Sequence, residues 1–389
     1  MRNRIIWALA FFMFAAPPFA AAEVQINGFA SVVMGIDLED EGQSNYGNRT
    51  VDNLQESKVA LQWTADLEKG LRFVGQTMAR GSATTGFAMN YDWAYFDFNV
   101  GDSAKLKFGR LRIPFYKYSD YLDVGFAYHW ISPPPDMYSL DFSNMDGVSY
   151  QHNLDMGGME HALNVAVGTY QGILPLGGLP ANSSLENLVA INWSATMGDH
   201  EFSAAYAQAD VYVPAAAAIG LSGLAGTPRD VLIDGDYGFF VGVGYKGTFD
   251  DIGVFFEYSI VQVDDSIFAD TSGGYLGGSY TMGDYTYHVT YGTRKAEEKT
   301  YTGPLADFDI GTAGGGAASG ATLNSTSRLL GNGDNTTITL GVRKDIGVST
   351  ALKMDLDLYS EDRVQTDQVT ATSETMKATT LKFAIETMF

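Results

Sequence analysis

Along most of the chain apolar side chains recur at every second position, the period of a strand with one apolar face. In the first run Val24, Ile26, Ala30, Val32, Met34 and Ile36 share one face, while Gln25, Asn27, Ser31 and Asp37 share the other. The last runs repeat the pattern: Leu352, Met354, Leu356 and Leu358 alternate with Lys353, Asp355, Asp357 and Tyr359, and Leu381, Phe383, Ile385, Thr387 and Phe389 with Lys382, Ala384, Glu386 and Met388. Between these ends lie further runs, such as Ala94, Phe96 and Phe98; Val189, Ile191 and Trp193; Phe239, Val241 and Val243; and Tyr285, Tyr287, Val289 and Tyr291. Helical periodicity is scarce, and after Glu23 no run of about 18 apolar residues appears, so no helix is expected to span a membrane. The pattern predicts about sixteen strands, each close to the roughly 9–11 residues that a tilted membrane strand needs.

The connections alternate in length. Ala65 to Gly70, Asn99 to Ala104, Met197 to His200, Gly247 to Asp251, Gly283-Asp284 and Asp345 to Ser349 read as short turns. Between them lie long segments, Asp37 to Asn53, Pro114 to Asp146, Gln171 to Ser184, Asp210 to Asp234 and Lys295 to Gly333, the last carrying a Gly/Ala-rich tract from Gly311 to Ala321. Short turns at one end and long loops at the other characterise outer-membrane barrels, whose turns are periplasmic and whose loops are external. No second domain is apparent.

The polarity of the two faces decides between water and lipid. Opposite the sustained apolar face stand Arg72, Arg80, Lys107, Glu257, Arg294, Arg343, Lys353 and Asp355. A soluble barrel puts its apolar side inward, where side chains fill it; a closed barrel in lipid satisfies every backbone group and keeps its polar face around water. Trp63, Tyr206, Tyr245, Tyr258 and Tyr285 near strand ends suit interfacial aromatic girdles. The first 22 residues have the form of a secretory leader: Arg2 and Arg4, an apolar stretch from Ile5 to Ala16, and Ala20-Ala21-Ala22. Removing it takes two Arg and no acids, changing the net charge from −22 to −24. The expected organisation is a leader, 1–22, and one barrel, 23–389.

Composition excludes other classes. The chain has no Cys, which rules out disulfide scaffolds, thiol enzymes and Cys-ligated zinc. Its net charge of −22 argues against nucleic acid as a partner. Gly242-x-Gly244-x-x-Gly247 matches a dinucleotide fingerprint in letters, but it runs from a strand into a turn with no helix following. His129, His152, His161, His200 and His288 show no metal-ligand spacing, and Asp37, Glu39, Asp40 and Glu41 read as a solvated acidic loop. Neither a metal nor a cofactor is expected.

Four segments carry a family resemblance: Val24-Gln25-Ile26-Asn27-Gly28-Phe29-Ala30, Thr337 through Arg343 to Ala351-Leu352-Lys353, the last strand ending in Phe389, and Phe108-Gly109-Arg110-Leu111-Arg112-Ile113-Pro114 leading into a long loop. With these the chain resembles the Gram-negative general porins, trimeric sixteen-stranded diffusion channels. The resemblance implies an all-β transmembrane barrel in the outer membrane with its third loop folded into the lumen. It also implies a homotrimer among lipid and lipopolysaccharide, and Phe389 as the signal read by the barrel-assembly machinery.

The segment from Pro114 to Asp146 is the expected constriction loop. It holds Asp120, Asp123, Asp136, Asp141 and Asp146 against Lys117, a net charge of −4, and it is rich in Tyr and Phe with a stiffening Pro133-Pro134-Pro135. In the family such a loop sets its acids opposite a basic wall, here Lys58, Arg72, Arg80, Lys105 and Lys107; the side taken by Arg110 and Arg112 stays open because the alternation breaks there. The expected function is passive diffusion of small hydrophilic solutes and ions with a mild cation preference. Two alternatives remain: a channel specific for a sugar, anion or organic acid, and a barrel enzyme such as a lipase, for which His152 beside Asn153 is the nearest approach to a catalytic pair.

Overall fold

A computed structural model describes residues 23–39, 46, 49–81, 86–140, 142–176, 179–213, 233–264, 266, 269–297, 333–367 and 370–389. The leader, the Gly311–Ala321 tract, Asp40, Glu41 and Asp141 lie outside them. Sixteen strands follow in order: β1 (Val24–Asp37), β2 (Lys58–Glu68), β3 (Leu71–Arg80), β4 (Met89–Asn99), β5 (Ala104–Arg112), β6 (Asn144–Met156), β7 (Met159–Leu176) and β8 (Leu179–Met197). They continue as β9 (His200–Tyr212), β10 (Asp234–Phe249), β11 (Ile252–Val263), β12 (Asp270–Met282), β13 (Tyr285–Glu297), β14 (Asp334–Ile346), β15 (Thr350–Asp367) and β16 (Thr370–Met388). Each pairs antiparallel with its neighbours in sequence, and β1 pairs with β16 to close the barrel. Closure leaves no edge strand and so no unpaired backbone row facing lipid.

The faces are inverted relative to a soluble protein. Val32, Phe96, Ile191, Val241, Val289, Leu340, Met354 and Ile385 are exposed on the outside all round the wall, while Lys353, Asp355, Glu386, Glu257 and His288 are buried within. Among the described residues no helix is long and apolar enough to cross a membrane; the strands make the crossing. Tight turns join them at one end: Met282 pairs with Tyr285, and Gly283 between them takes φ +60°, a conformation that Gly adopts at little cost.

Strand lengths depart from the expectation at the opposite end. Gln171 to Ser184 is not a long connection: β7 and β8 continue pairing from Tyr170 with Leu185 to Leu176 with Leu179. In the same way β15 and β16 pair out to Asp367 with Thr370. Beyond the hydrocarbon layer neither face needs to be apolar, so hydropathy stops alternating while the backbone ladder runs on. A further connection, residues 81–88 between β3 and β4, carries no such signal either.

Candidate pore constriction

The chain turns into the barrel where β5 ends. Gly109 takes φ +136°, and a Cβ there would meet the Ala94 carbonyl oxygen at 2.4 Å, so a side chain would not fit. Just beyond, the two arginines left open by the sequence part company. Arg110 sits on the outside beside exposed Phe108, making a two-pronged ion pair with Asp146 (Nε–Oδ1 and Nη2–Oδ2, both 2.9 Å). Arg112, at the strand end, turns inward and meets Asp123 at 2.6 Å and Asp92 at 3.5 Å.

Residues 113–140 then cross the lumen as a packed unit with two 3-10 turns, Ser119–Tyr121 and Gly125–Ala127. Ile113, Phe115, Tyr116, Tyr118, Tyr128 and Trp130 are buried against one another and against an alanine-rich stretch of wall, Ala190, Ala205, Ala207 and Ala209, together with Phe240 and Phe255. Small wall residues admit the bulky loop rings. The same docking explains where lumen positions turn apolar: Phe29, Ala60 and Met78 pack against Val124, and Val33 and Ala384 enclose Ile131.

Polar bonds tie the loop to the wall through most of the barrel's circumference. On β2, β3 and β5 the anchor is Asp123, which accepts from Arg80 Nε (3.1 Å) and Nη2 (2.7 Å) and from Arg112 Nη2 (2.6 Å), with Lys58 Nζ 3.8 Å away. Burial opposes its ionisation, but the charges of Arg80, Lys58 and Arg112 outweigh that and hold the carboxyl well below the usual range. On the far side Lys353 Nζ donates to the Gly125 carbonyl (2.7 Å) and the Trp130 carbonyl (2.5 Å) and pairs with Glu386. Arg343 donates to the carbonyls of Phe126 (2.6 Å) and Tyr128. Asp355 accepts from the Ile131 amide (2.9 Å), Thr290 from the Trp130 indole (2.8 Å), and Glu257 from the Lys117 amide (2.9 Å) and the Tyr138 hydroxyl. Asp136 is buried against β14, accepting from the Thr337 hydroxyl at 2.9 Å, and burial pushes its pKa up to about 6.

The residues singled out from the sequence therefore separate. Lys58 and Arg80 meet a loop acid, Asp123. Arg72 bonds Asp66 at 3.0 Å, Lys105 lies 3.9 Å from Asp97, and Lys107 rests over the Tyr95 ring, so these three line the wall on β2–β5, where the loop acid Asp120 is among the charges around Lys107. Of the loop acids, Asp123 and Asp136 are buried while Asp120 is exposed. Sequence reasoning left Arg112 open and missed the anchors Asp92, Lys353 and Glu386; each sits on or beside a polar strand face, but that alternation cannot say which polar side chains a loop will cover. His152 and Asn153 face opposite sides of β6, His152 beside Tyr150 on the outside and Asn153 into the lumen.

Between loop residues 114–121 and the β6–β9 wall lies a cavity of about 300 Å³. Its wall is formed by Gln151, Asn153, Asn164, Asn192, Ser194 and Ser203; the loop side carries Asp120 and Tyr121, and Lys117 pairs with Glu201 at 2.5 Å across it.

With this geometry in place, the family model for Gram-negative porins matches residues 8–362. The chain belongs to that family. It is thus an outer-membrane protein, and its barrel is a channel for small solutes. A comparison with curated proteins finds no match. The porin's fold is similar to that of the outer-membrane channel DcaP of Acinetobacter baumannii (TM-score 0.60, 13% identity, 95% of this chain and 98% of that one). It is also similar to the trimer form of in-vitro folded OmpT of Vibrio cholerae (TM-score 0.55, 14% identity, 95% and 100%). A third likeness is to an anion-selective porin from Comamonas acidovorans (TM-score 0.55, 15% identity, 95% and 100%).

Proposed function

We propose that this porin conducts small hydrophilic solutes and ions by passive diffusion, with a mild preference for cations, after export with loss of residues 1–22. The observation that carries the reading is the loop itself: it is bonded to the wall from β9 round to β3 and bounds a polar cavity against β6–β9. Selectivity in a narrow pore follows the charge that remains uncompensated, because low-dielectric walls focus the field. Around the cavity Asp120 and Glu201 face one cation, Lys117, which leaves one negative charge. Asp123, with its three basic neighbours, adds none. The resulting cation preference is weak and rests on Asp120, with Lys105 and Lys107 of the neighbouring wall opposing it. Planar-bilayer reversal potentials in a salt gradient test this: a shift toward the anion potential for Asp120→Asn is expected, and an unchanged potential overturns the assignment.

We further propose that the porin works as a homotrimer embedded in lipid and lipopolysaccharide, as the trimer form of OmpT suggests by analogy of fold. Phe389 would present the chain to the assembly machinery; its backbone pairs with Gly28 in both directions (2.7 and 2.9 Å) at the seam where β1 meets β16.

A further inference from the structure

The cavity under the loop has a chemistry that charge alone does not describe. Six side chains of its β6–β9 wall, Gln151, Asn153, Asn164, Asn192, Ser194 and Ser203, are neutral and hydrogen-bonding, and they come from lumen-facing positions of four consecutive strands. Amides present both donors and acceptors, as hydroxyls do. The full charges nearby are largely committed: Lys117 Nζ is almost completely buried and lies 2.5 Å from Glu201. An anion would find no free cation among the cavity's lining residues, and a cation would find only Asp120 and the remaining lone pairs of Glu201. A solute whose groups each donate and accept matches the amide wall, and the opposing Asp120 carboxylate accepts a further hydroxyl. Tyr121 adds a ring edge or face, an apolar surface for the C–H side of a sugar.

We propose that this cavity is a recognition site for neutral polyhydroxylated solutes of monosaccharide to disaccharide size. A volume of about 300 Å³ lies at the lower end for small-molecule sites, which bounds the occupant. The inference deepens the channel reading and rests on it for its transport consequence: the solute would pause at the amide wall on its way past the loop. Specificity here comes from leaving the half-buried amides of Gln151, Asn164 and Asn192 unpaired when a solute lacks hydroxyls.

The test uses the full-length protein in planar bilayers. Glucose and maltose should reduce the ion current saturably, while succinate and putrescine at equal concentration should not saturate. In the Asn153→Leu, Asn192→Leu double variant the half-saturating sugar concentration should rise about tenfold or more, the size expected for losing two hydrogen bonds. Asp120→Asn, which leaves the wall intact, should weaken sugars by a smaller factor. Calorimetry of glucose on the detergent-solubilised protein separates the two readings. Conductance without saturable sugar binding overturns the site and leaves the channel; sugar binding lost in the double variant, with no conductance in any protein, supports the site and overturns the channel. Saturation by succinate or putrescine with inert sugars overturns the site as well.

Discussion

Asp120 and Asp123 lie three residues apart on one loop, yet their electrical standing differs. Asp123 is held by Arg80, Arg112 and Lys58, whereas Asp120 is exposed and lines the cavity. Substituting Asp120 should therefore move the reversal potential, and the move should grow in dilute salt, where the screening length is about 30 Å at 0.01 M against about 10 Å at 0.1 M. Asp123→Asn should act differently: it removes the charge that Arg80, Arg112 and Lys58 share and leaves Asp92 as the acid beside both guanidinium groups, costing on the order of 1–3 kcal/mol, seen as a lower unfolding temperature in detergent. Asp136 has a third role. Burial pushes its pKa up to about 6, against about 4 in an unfolded chain. Between those values the folded protein holds a proton that the unfolded chain has released, so its contribution to stability is present at low pH and lost as pH rises through about 6. Asp136→Asn should flatten that part of the pH–stability curve; an identical slope in wild type and variant would count against a protonated Asp136.

The loop behaves as an element with its own small core, clasped by wall residues on strands far apart in sequence. Lys353 is the tightest clasp, bonding two loop carbonyls and Glu386 at once. Lys353→Met should destabilise the loop's seat by roughly 3–5 kcal/mol, since Glu386 would be left buried without its cation. The readout is a larger, noisier single-channel conductance as the loop loosens. An unchanged conductance would mean that the aromatic packing against Phe240 and Phe255 suffices by itself. At this scale the sequence was partly readable. Loop length, the aromatic run and Pro133-Pro134-Pro135 marked an element with reason to be buried, while its clasps were scattered over β2, β3, β5, β9, β11 and β13–β15, and no local pattern links Lys353 to Gly125.

For the whole molecule, the orientation of the faces and the closure seam are the features open to direct test. Ile191 is exposed outside and Asn192, the next residue, lines the cavity. At mid-depth Ile191→Arg should cost about 2–4 kcal/mol in folding titrations into bilayers, and Asn192→Arg much less. Equal costs would overturn the inverted arrangement. Deleting Phe389 removes both backbone bonds to Gly28 and empties the space that the residue's ring fills over that glycine. Outer-membrane yield in cells should fall more than the thermal stability of the protein that does assemble; normal yield would speak against Phe389 as an assembly signal.

Strand periodicity, the polarity of each face and the spacing of short and long connections were local properties, and they were enough to determine a closed barrel in the outer membrane, because lipid demands an apolar exterior all round. The same rule explains where reading from sequence failed: past the lipid layer, at Gln171 to Ser184 and beyond Ser360, the demand lapses and strands continue unsignalled. Which charges matter was decided only in three dimensions. Arg110 and Arg112 differ by one turn of the chain into the lumen, and Arg72 and Arg80 share a strand while one meets Asp66 and the other Asp123. A charge acts through its distance to partners and its exposure, and those distances are set by strands up to hundreds of residues away, after the barrel has closed and the loop has found its place inside.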